Sequence, residues 1–80
     1  MTVQEQVRAF ISTNFYVSDA SQLQDSASLL DAGIIDSTGV LEVIAFIEET
    51  FSVTVEDQEM LPENLDSIER IARFVTSKAA

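Results

Sequence analysis

The sequence contains no cysteine and no histidine. It therefore has no disulfide, no thiolate nucleophile and no imidazole for acid–base catalysis or metal binding. Positive charge is also scarce, since 4 Lys and Arg residues stand against 14 Asp and Glu residues, which gives a formal net charge of -10. Such a surface repels nucleic acids and anionic membranes and favours a basic protein partner. Much of enzymatic chemistry is excluded by these absences alone.

Long hydrophobic runs are absent as well, the longest being residues 43–47, whereas a membrane-spanning helix needs about 18 or more apolar residues. The N-terminal segment does not have the pattern of a signal peptide, so we expect a cytoplasmic protein without membrane insertion. Eighty residues with 46 % hydrophobic content predict one folded domain over residues 1–80, which we expect to be monomeric.

The spacing of apolar residues predicts a first helix over residues 3–15, with Thr2 and Glu5 forming a capping box. The helical period is then lost from residue 16 to residue 35, where turn-forming serine and aspartate residues are frequent. Loops of this length are uncommon in small domains unless they are functional or packed by their own apolar residues. The residues available for that packing are Leu23, Leu29, Leu30, Ile34 and Ile35.

A second helix is predicted from Asp36, its N-cap, to about Phe51. Its apolar stripe, in which we expect Phe51 to be buried, consists of Val40, Val43, Ile44, Ile47 and Phe51. Residues 53–55 are interpreted as a link, and residues 56–61 as a short helical turn that ends at Pro62. Asp66 and Glu69 repeat the capping pattern before a last helix. Its predicted core face consists of Ile68, Ile71, Ala72 and Val75. The predicted fold is all-α, with three main helices and one short helix.

Residues 29–39, Leu-Leu-Asp-Ala-Gly-Ile-Ile-Asp-Ser-Thr-Gly, precede an acidic amphipathic helix. This stretch resembles the acyl carrier protein family, and the chain length, the long first loop and the short final helix agree with that resemblance. The resemblance implies a four-helix bundle of acyl-carrier type with 4'-phosphopantetheine attached to Ser37. It also implies a non-catalytic carrier of acyl or aminoacyl thioesters, with Asp36 and Thr38 beside the attachment site.

The position of Ser37 agrees with this interpretation, because a helix start offers unpaired N–H groups to a phosphodiester. Ser37 has no histidine to activate it as a hydrolytic nucleophile. Chemistry must then come from partners, and the resemblance implies a phosphopantetheinyl transferase that uses coenzyme A, a loading ligase and downstream acyl-transfer enzymes. The alternative is a non-carrier acidic helical module that binds basic protein surfaces and uses Ser37 only in its helix cap.

Successive residues of a helix are rotated by about 100° around its axis, so one side of the second helix lies opposite the apolar stripe that contains Val40. This side begins at Ser37. This mixed acidic and apolar side predicts a docking face for cationic enzymes, although an ordinary solvated helix surface is the alternative. The predicted partner-binding residues are Leu41, Glu42, Ala45, Glu48 and Glu49.

Two residues depart from the pattern of the family. Thr38 stands where the family usually has leucine, which favours a dedicated synthetase over fatty-acid enzymes, while the cargo stays open between fatty acyl, aminoacyl and polyketide groups. Gly39 should weaken the first turn by about 0.5–1 kcal/mol relative to alanine. No metal site is predicted, because the six-residue spacing of Asp19, Asp25 and Asp31 does not fit a calcium-binding loop.

Overall fold

The computed structural model describes residues 2–15, 17 and 23–79. The chain forms helices α1 (Val3–Asn14), α2 (Ser37–Phe51), α3 (Pro62–Leu65) and α4 (Ile68–Ala79), with a 3-10 turn at Asp57–Glu59 between α2 and α3. Over these described ranges there is no β-strand. The all-α bundle with three long helices and one short helix is therefore confirmed.

The N-terminus of α1 carries the predicted capping box. The Thr2 hydroxyl accepts a hydrogen bond from the Glu5 backbone N–H at 3.1 Å, and the Glu5 carboxylate accepts one from the Thr2 N–H at 3.0 Å. The hydrogen bond from the Thr2 backbone N–H is the main reason that the pKa of the Glu5 carboxyl lies below its ordinary value. The helix ends at Asn14, one residue before the predicted end, because the Phe15 backbone is extended.

The core lies around α4, which packs against α1, α2 and α3. The predicted inner face of α4 is buried, with Phe74 added to it, and α2 contributes three buried side chains of the predicted stripe. The largest fully buried side chains are Val7, Ile11, Leu29, Val43, Ile47, Ile68, Ile71 and Val75. Phe51, the last member of the α2 stripe, is only half-buried. Its predicted full burial is wrong, because it lies where α2 ends.

The seam between α1 and α2 is filled by phenylalanine rings. Phe10 of α1 stacks on Phe46 of α2 with ring centroids 4.1 Å apart, and Phe46 meets Phe51 edge to face at 5.8 Å. Phe10 also meets Phe15 edge to face at 6.0 Å. Offset and edge-to-face pairs of this kind stabilise by about 0.5–1.5 kcal/mol beyond their buried area. This aromatic row runs along the seam from Phe15, just after α1, to Phe51 at the end of α2.

The long loop between α1 and α2 packs as predicted through Leu23, Leu29 and Ile35, which are buried, and through Ile34, which packs against the core. Leu30 is the exception, since 41 % of its surface is exposed. The loop positions predicted at Tyr16, Ser18, Asp19 and Ser21 lie outside the described residues.

Backbone hydrogen bonds attach this loop to the start of α4. The Leu29 N–H donates to the Asp66 carbonyl and the Glu69 N–H donates to the Asp25 carbonyl, both at 2.8 Å. The Asp25 carboxylate also pairs with Arg8 of α1. The loop is thus held from two sides, and this fixes the approach of the chain to residue 36.

The start of α4 differs from the sequence-based prediction. The Arg70 N–H donates to the Ser67 hydroxyl at 3.0 Å, so Ser67 caps α4, and the predicted cap at Asp66 is wrong. The Asp66 carboxylate is used by the loop, where it accepts hydrogen bonds from the Ser28 hydroxyl at 2.6 Å and the Leu30 N–H at 3.0 Å. Donors from the distant loop, the Ser28 hydroxyl and the Leu30 N–H, therefore occupy the Asp66 carboxylate in place of the N–H groups at the start of α4.

Pro62 begins a helix, and the preceding turn has already ended at Glu59. It occupies the first position of α3, where a missing N–H costs nothing and the fixed φ suits the helix. The predicted turn over 56–61 is reduced to Asp57–Glu59. None of the helices in the described ranges is long and apolar enough to cross a membrane.

Candidate functional site

Ser37 is the first residue of α2, and its side chain is exposed. Asp36 before it has an extended backbone, and its carboxylate accepts a hydrogen bond from the Gly39 N–H at 2.7 Å. Asp36 is therefore the N-cap, as predicted. Among the described residues, none hydrogen-bonds to the Ser37 hydroxyl. The hydroxyl is accessible from outside the protein and is not needed for the cap.

The start of α2 also retains free backbone donors. The Val40 N–H donates to the Asp36 carbonyl and the Gly39 N–H to the Asp36 carboxylate, while the N–H groups of Ser37 and Thr38 precede the first intrahelical bond. Together with the positive end of the helix dipole, these two donors suit a phosphodiester on Ser37. The residues present thus fit a phosphopantetheine group at this position.

Gly39 lies on the inner side of the first turn and is buried. A Cβ atom at this position would lie 2.9 Å from Phe15 Cε1 and 3.1 Å from Ile35 Cγ2, closer than ordinary contacts. The glycine therefore lets the Phe15 ring approach the α2 backbone. The sequence predicted only the helix-weakening effect of Gly39, whereas the structure shows a packing requirement.

A groove lies beside Ser37 where α1 approaches α2, and we call it the α1-side groove. Its volume is about 310 Å³. Asp36 and Thr38, the two neighbours of Ser37 in the chain, both contribute to its wall. The complete lining is Asn14, Phe15, Gly33, Ile34, Asp36, Thr38, Gly39 and Glu42. The groove is thus contiguous with the candidate attachment residue and has a mixed polar and apolar wall.

A second depression lies between α2 and α3, and we call it the α3-side cleft. It is smaller, at about 100 Å³, and is lined mainly by apolar side chains. Its lining consists of Leu30, Val40, Met60, Leu61, Pro62, Leu65 and Asp66. Leu30, Met60 and Leu61 are 41 %, 36 % and 42 % exposed.

Met60 and Leu61 were not among the site residues predicted from the sequence. A signal was present, since both are large apolar residues next to a helix too short to bury them. Packing against α2 could be recognised only from the fold.

The outer side of α2 is exposed as predicted. Leu41 is 60 % exposed, and Glu42, Ala45 and Glu49 are exposed as well. Thr38 lies at the top of this side. These residues form one continuous surface beginning at Ser37, which we call the α2 face.

Glu48 does not share the freedom of the other carboxylates on α2. It is half-buried, and its carboxylate accepts a hydrogen bond from the Val55 N–H at 2.9 Å. That bond fixes the chain after α2, where Val55 enters the core. Glu48 therefore has a role in the fold, which sets it apart from Glu42 and Glu49.

The described residues around Ser37 offer no group of three or more carboxylates able to hold a metal ion. With no histidine in the sequence, no imidazole of this chain stands beside Ser37 as a general base. The arrangement can present an accessible hydroxyl at a helix start, next to a groove and an acidic surface.

The model of the family described as "Phosphopantetheine attachment site" matches residues 5–75. The chain is also similar to the D-alanyl carrier proteins of Streptococcus pyogenes serotype M5 (strain Manfredo), serotype M49 (strain NZ131) and serotype M1. Each is 29 % identical over 75 residues, which cover 94 % of this chain and 92 % of the relative.

Proposed function

Because this chain belongs to the phosphopantetheine attachment-site family, a carrier family, we propose that its covalently bound 4'-phosphopantetheine arm is attached to Ser37. The protein is a carrier that bears such an arm. The observation that carries the assignment is the exposed, unbonded Ser37 hydroxyl at the start of α2, flanked by two free backbone N–H groups.

The arm supplies the thiol that this cysteine-free chain lacks, and acyl groups are carried on it as thioesters. The chain's own residues hold the attachment point. Asp36 stabilises the first turn of α2 through Gly39, and the first-turn N–H groups stabilise the phosphodiester charge. In this proposal the chain has no catalytic activity of its own.

We assign the cargo to the small acyl and aminoacyl class, with D-alanine as the first candidate. The relatives are named D-alanyl carrier proteins, which supports this choice at the level of similarity. The volume of the α3-side cleft is about 100 Å³, below the roughly 300–1,000 Å³ of typical ligand pockets. A long alkyl chain would need this cleft to widen, whereas a small aminoacyl group does not need it.

The proposed partners are a phosphopantetheinyl transferase, a cargo-activating ligase and a downstream acyl-transfer enzyme, each with a basic docking surface. Glu42 and Glu49 are exposed on the α2 face, and the sequence carries a net charge of -10. Complementary charge speeds encounter and sets orientation. A cytoplasmic location belongs to the same proposal, since the transferase must meet both coenzyme A and this chain.

The attachment site is tested by intact mass spectrometry after incubation with coenzyme A, Mg²⁺ and a broad-specificity phosphopantetheinyl transferase. We expect one phosphopantetheine on the wild type and none on Ser37→Ala. The alanine variant should remain folded because Asp36 still provides the cap. The matched control is Ser26→Ala in the exposed loop, which should be modified like the wild type.

Two outcomes would contradict the assignment. Modification of Ser37→Ala would place the arm on another residue. If the wild type gained no arm with any transferase, the non-carrier interaction module would replace the proposal.

The cargo is tested by giving the modified protein to an ATP-dependent ligase that activates D-alanine, and separately to one that activates long-chain fatty acids. We expect a D-alanyl thioester, released by hydroxylamine. Transfer of the long acyl chain alone would contradict the cargo assignment without affecting Ser37.

A further inference from the structure

The two depressions that flank the start of α2 differ in chemistry. The α3-side cleft is lined almost entirely by apolar side chains. The α1-side groove combines the apolar side chains of Phe15 and Ile34 with the polar side chains of Asn14, Thr38 and Glu42. We propose that the α1-side groove is the resting site of the pantetheine portion of the arm, an inference that rests on attachment at Ser37.

The lining of the groove matches the chemistry of pantetheine. That group has two amides, one hydroxyl and a pair of geminal methyl groups, so it presents N–H and O–H donors beside a compact apolar centre. Glu42 and Asp36 offer carboxylate acceptors, and Asn14 uses its Nδ2 to donate to the Phe10 carbonyl, which leaves its side-chain oxygen as an acceptor. Phe15 can contact the methyl groups.

The size of the α1-side groove also supports it as the resting site of the pantetheine portion. Its volume of about 310 Å³ is at the lower end of the roughly 300–1,000 Å³ of small-molecule sites. The α3-side cleft, at about 100 Å³, has a third of that volume. A flexible arm tethered between Asp36 and Thr38 therefore finds the larger and more polar site immediately beside its attachment.

The wall of the groove is held in place before any arm enters. The Phe15 ring lies against Gly39 and meets Phe10 edge to face, while Phe10 stacks on Phe46. A preformed wall reduces the ordering cost of binding. The close approach of Phe15 to Gly39 and the aromatic row thus both hold the wall of the α1-side groove in place.

The resting position has a consequence for docking because Glu42 lies both in the α1-side groove and on the α2 face. A partner cation that pairs with Glu42 removes an acceptor from the resting arm. Docking therefore favours release of the arm toward the partner.

The test begins with intact mass, which establishes that the arm is present; absence of the arm would be a failure of the proposed function and not of this inference. The arm-bearing protein is then studied by NMR. We expect nuclear Overhauser effects between the geminal methyl protons and the Phe15 ring protons. Amide shifts between the unmodified and modified forms should be larger at Asn14 and Phe15 than at Met60 and Leu61.

A pair of variants on α1 sharpens the test. Asn14→Tyr, at an exposed lining position, fills the groove and should abolish the Overhauser effects at Phe15 while the arm is still attached. Ser12→Tyr, exposed on α1 outside the lining, should preserve them. The spectrum of each unmodified variant reports whether it is folded.

Three results would overturn the inference. The first is shift changes confined to residues next to Ser37, which would describe an arm free in solvent. The second is Overhauser effects to Met60 or Leu61 in place of Phe15, which would put the arm in the α3-side cleft. The third is retention of the Phe15 effects in Asn14→Tyr.

Discussion

Helices α4 and α2 use their charged residues in different ways. On the α4 side, Arg73 pairs with Glu69 at 2.8 Å and Lys78 pairs with Glu59 at 2.7 Å. On α2, Glu42 and Glu49 are exposed, and no ion pair joins them to a cation within the described residues. Charge on the α4 side is paired within the fold, whereas Glu42 and Glu49 on α2 take part in none of the ion pairs of the described residues.

The apolar side chains of the two helices also differ in their exposure. The core face of α4 includes Ile68 and Ile71, both fully buried. α2 buries one side but leaves Leu41 60 % exposed, next to its free carboxylates. Leu41 thus adds an exposed apolar group to the acidic α2 face, and the docking role of this face stays a prediction.

The largest expected effect comes from truncating the inner face of α4. Ile71→Ala should lower the free energy of unfolding by about 2–5 kcal/mol, since Ile71 is fully buried. Phe51→Ala at the end of α2 should cost less, because Phe51 is half-buried. Urea denaturation followed by circular dichroism measures both. An equal loss of unfolding free energy in the two variants would contradict the expectation that the fully buried Ile71 contributes more than the half-buried Phe51.

The next prediction concerns the free charges of α2. Glu42→Lys together with Glu49→Lys should slow arm transfer by about tenfold, equivalent to about 1.4 kcal/mol, without unfolding the domain. Single-turnover kinetics with the transferase measures this rate. The effect should shrink above about 0.15 M salt, where the Debye length falls below roughly 8 Å.

The matched control is Glu63→Lys, an exposed acid in the first turn of α3. It changes the charge by the same amount per residue without altering α2. Equal slowing per charge at all three positions would mean that the overall field governs encounter and that α2 is not the docking surface.

A smaller effect is expected from Gly39→Ala on the inner side of α2. Alanine favours a helix by about 0.8–1 kcal/mol over glycine, but its Cβ would lie 2.9 Å from Phe15 Cε1. Overpacking typically costs about 1–3 kcal/mol, so we expect a net loss of about 1 kcal/mol in urea denaturation. A more stable variant would show that the Phe15 ring can move aside.

The smallest effect belongs to the ion pair that fastens α4 to the 3-10 turn. The hydrogen bond from Lys78 lowers the pKa of Glu59 below its ordinary value of 4.5. A carboxylate with a lowered folded pKa stabilises the protein above the unfolded pKa, and that contribution is lost as the pH falls through the folded pKa. Lys78→Met should therefore be less stable than the wild type at pH 7.

The stability difference between Lys78→Met and the wild type should narrow as the pH falls below 4.5. Thermal unfolding between pH 7 and pH 3 checks this dependence. Arg73→Met is the control, because the Arg73 side chain is 73 % exposed in its pair with Glu69 and such pairs contribute little. If the stability difference between Lys78→Met and the wild type does not vary with pH, the lost contact between Lys78 and the Phe74 ring is its cause.

Much of the fold could be predicted because its signals are local. The apolar period located α1, α2 and the start of α4 within one or two residues, and the caps at Thr2 and Asp36 depend on donors only three residues away. The predictions failed where a distant group competed. Asp66 has the chemistry of a helix cap, but a loop residue 38 positions earlier in the chain takes its carboxylate.

The candidate site also combines features that local sequence predicts with features that depend on distant contacts. The position of Ser37 at a helix start, and the outward direction of Glu42 and Glu49, follow from sequence spacing. The different role of Glu48 could not be predicted, because it depends on how the chain turns back after α2 and brings the Val55 N–H to its carboxylate.

The sequence by itself determined the helices, their main caps, the acidic surface and the absence of any thiol or imidazole, because composition and helical period act over a few residues. The tertiary structure decided which helix surfaces meet. It placed Phe15 against Gly39, left Leu30, Met60 and Leu61 around a cleft, and opened a groove with a mixed polar and apolar wall beside Ser37. These features depend on contacts between segments far apart in the chain, and close packing sets them only when the whole core has formed.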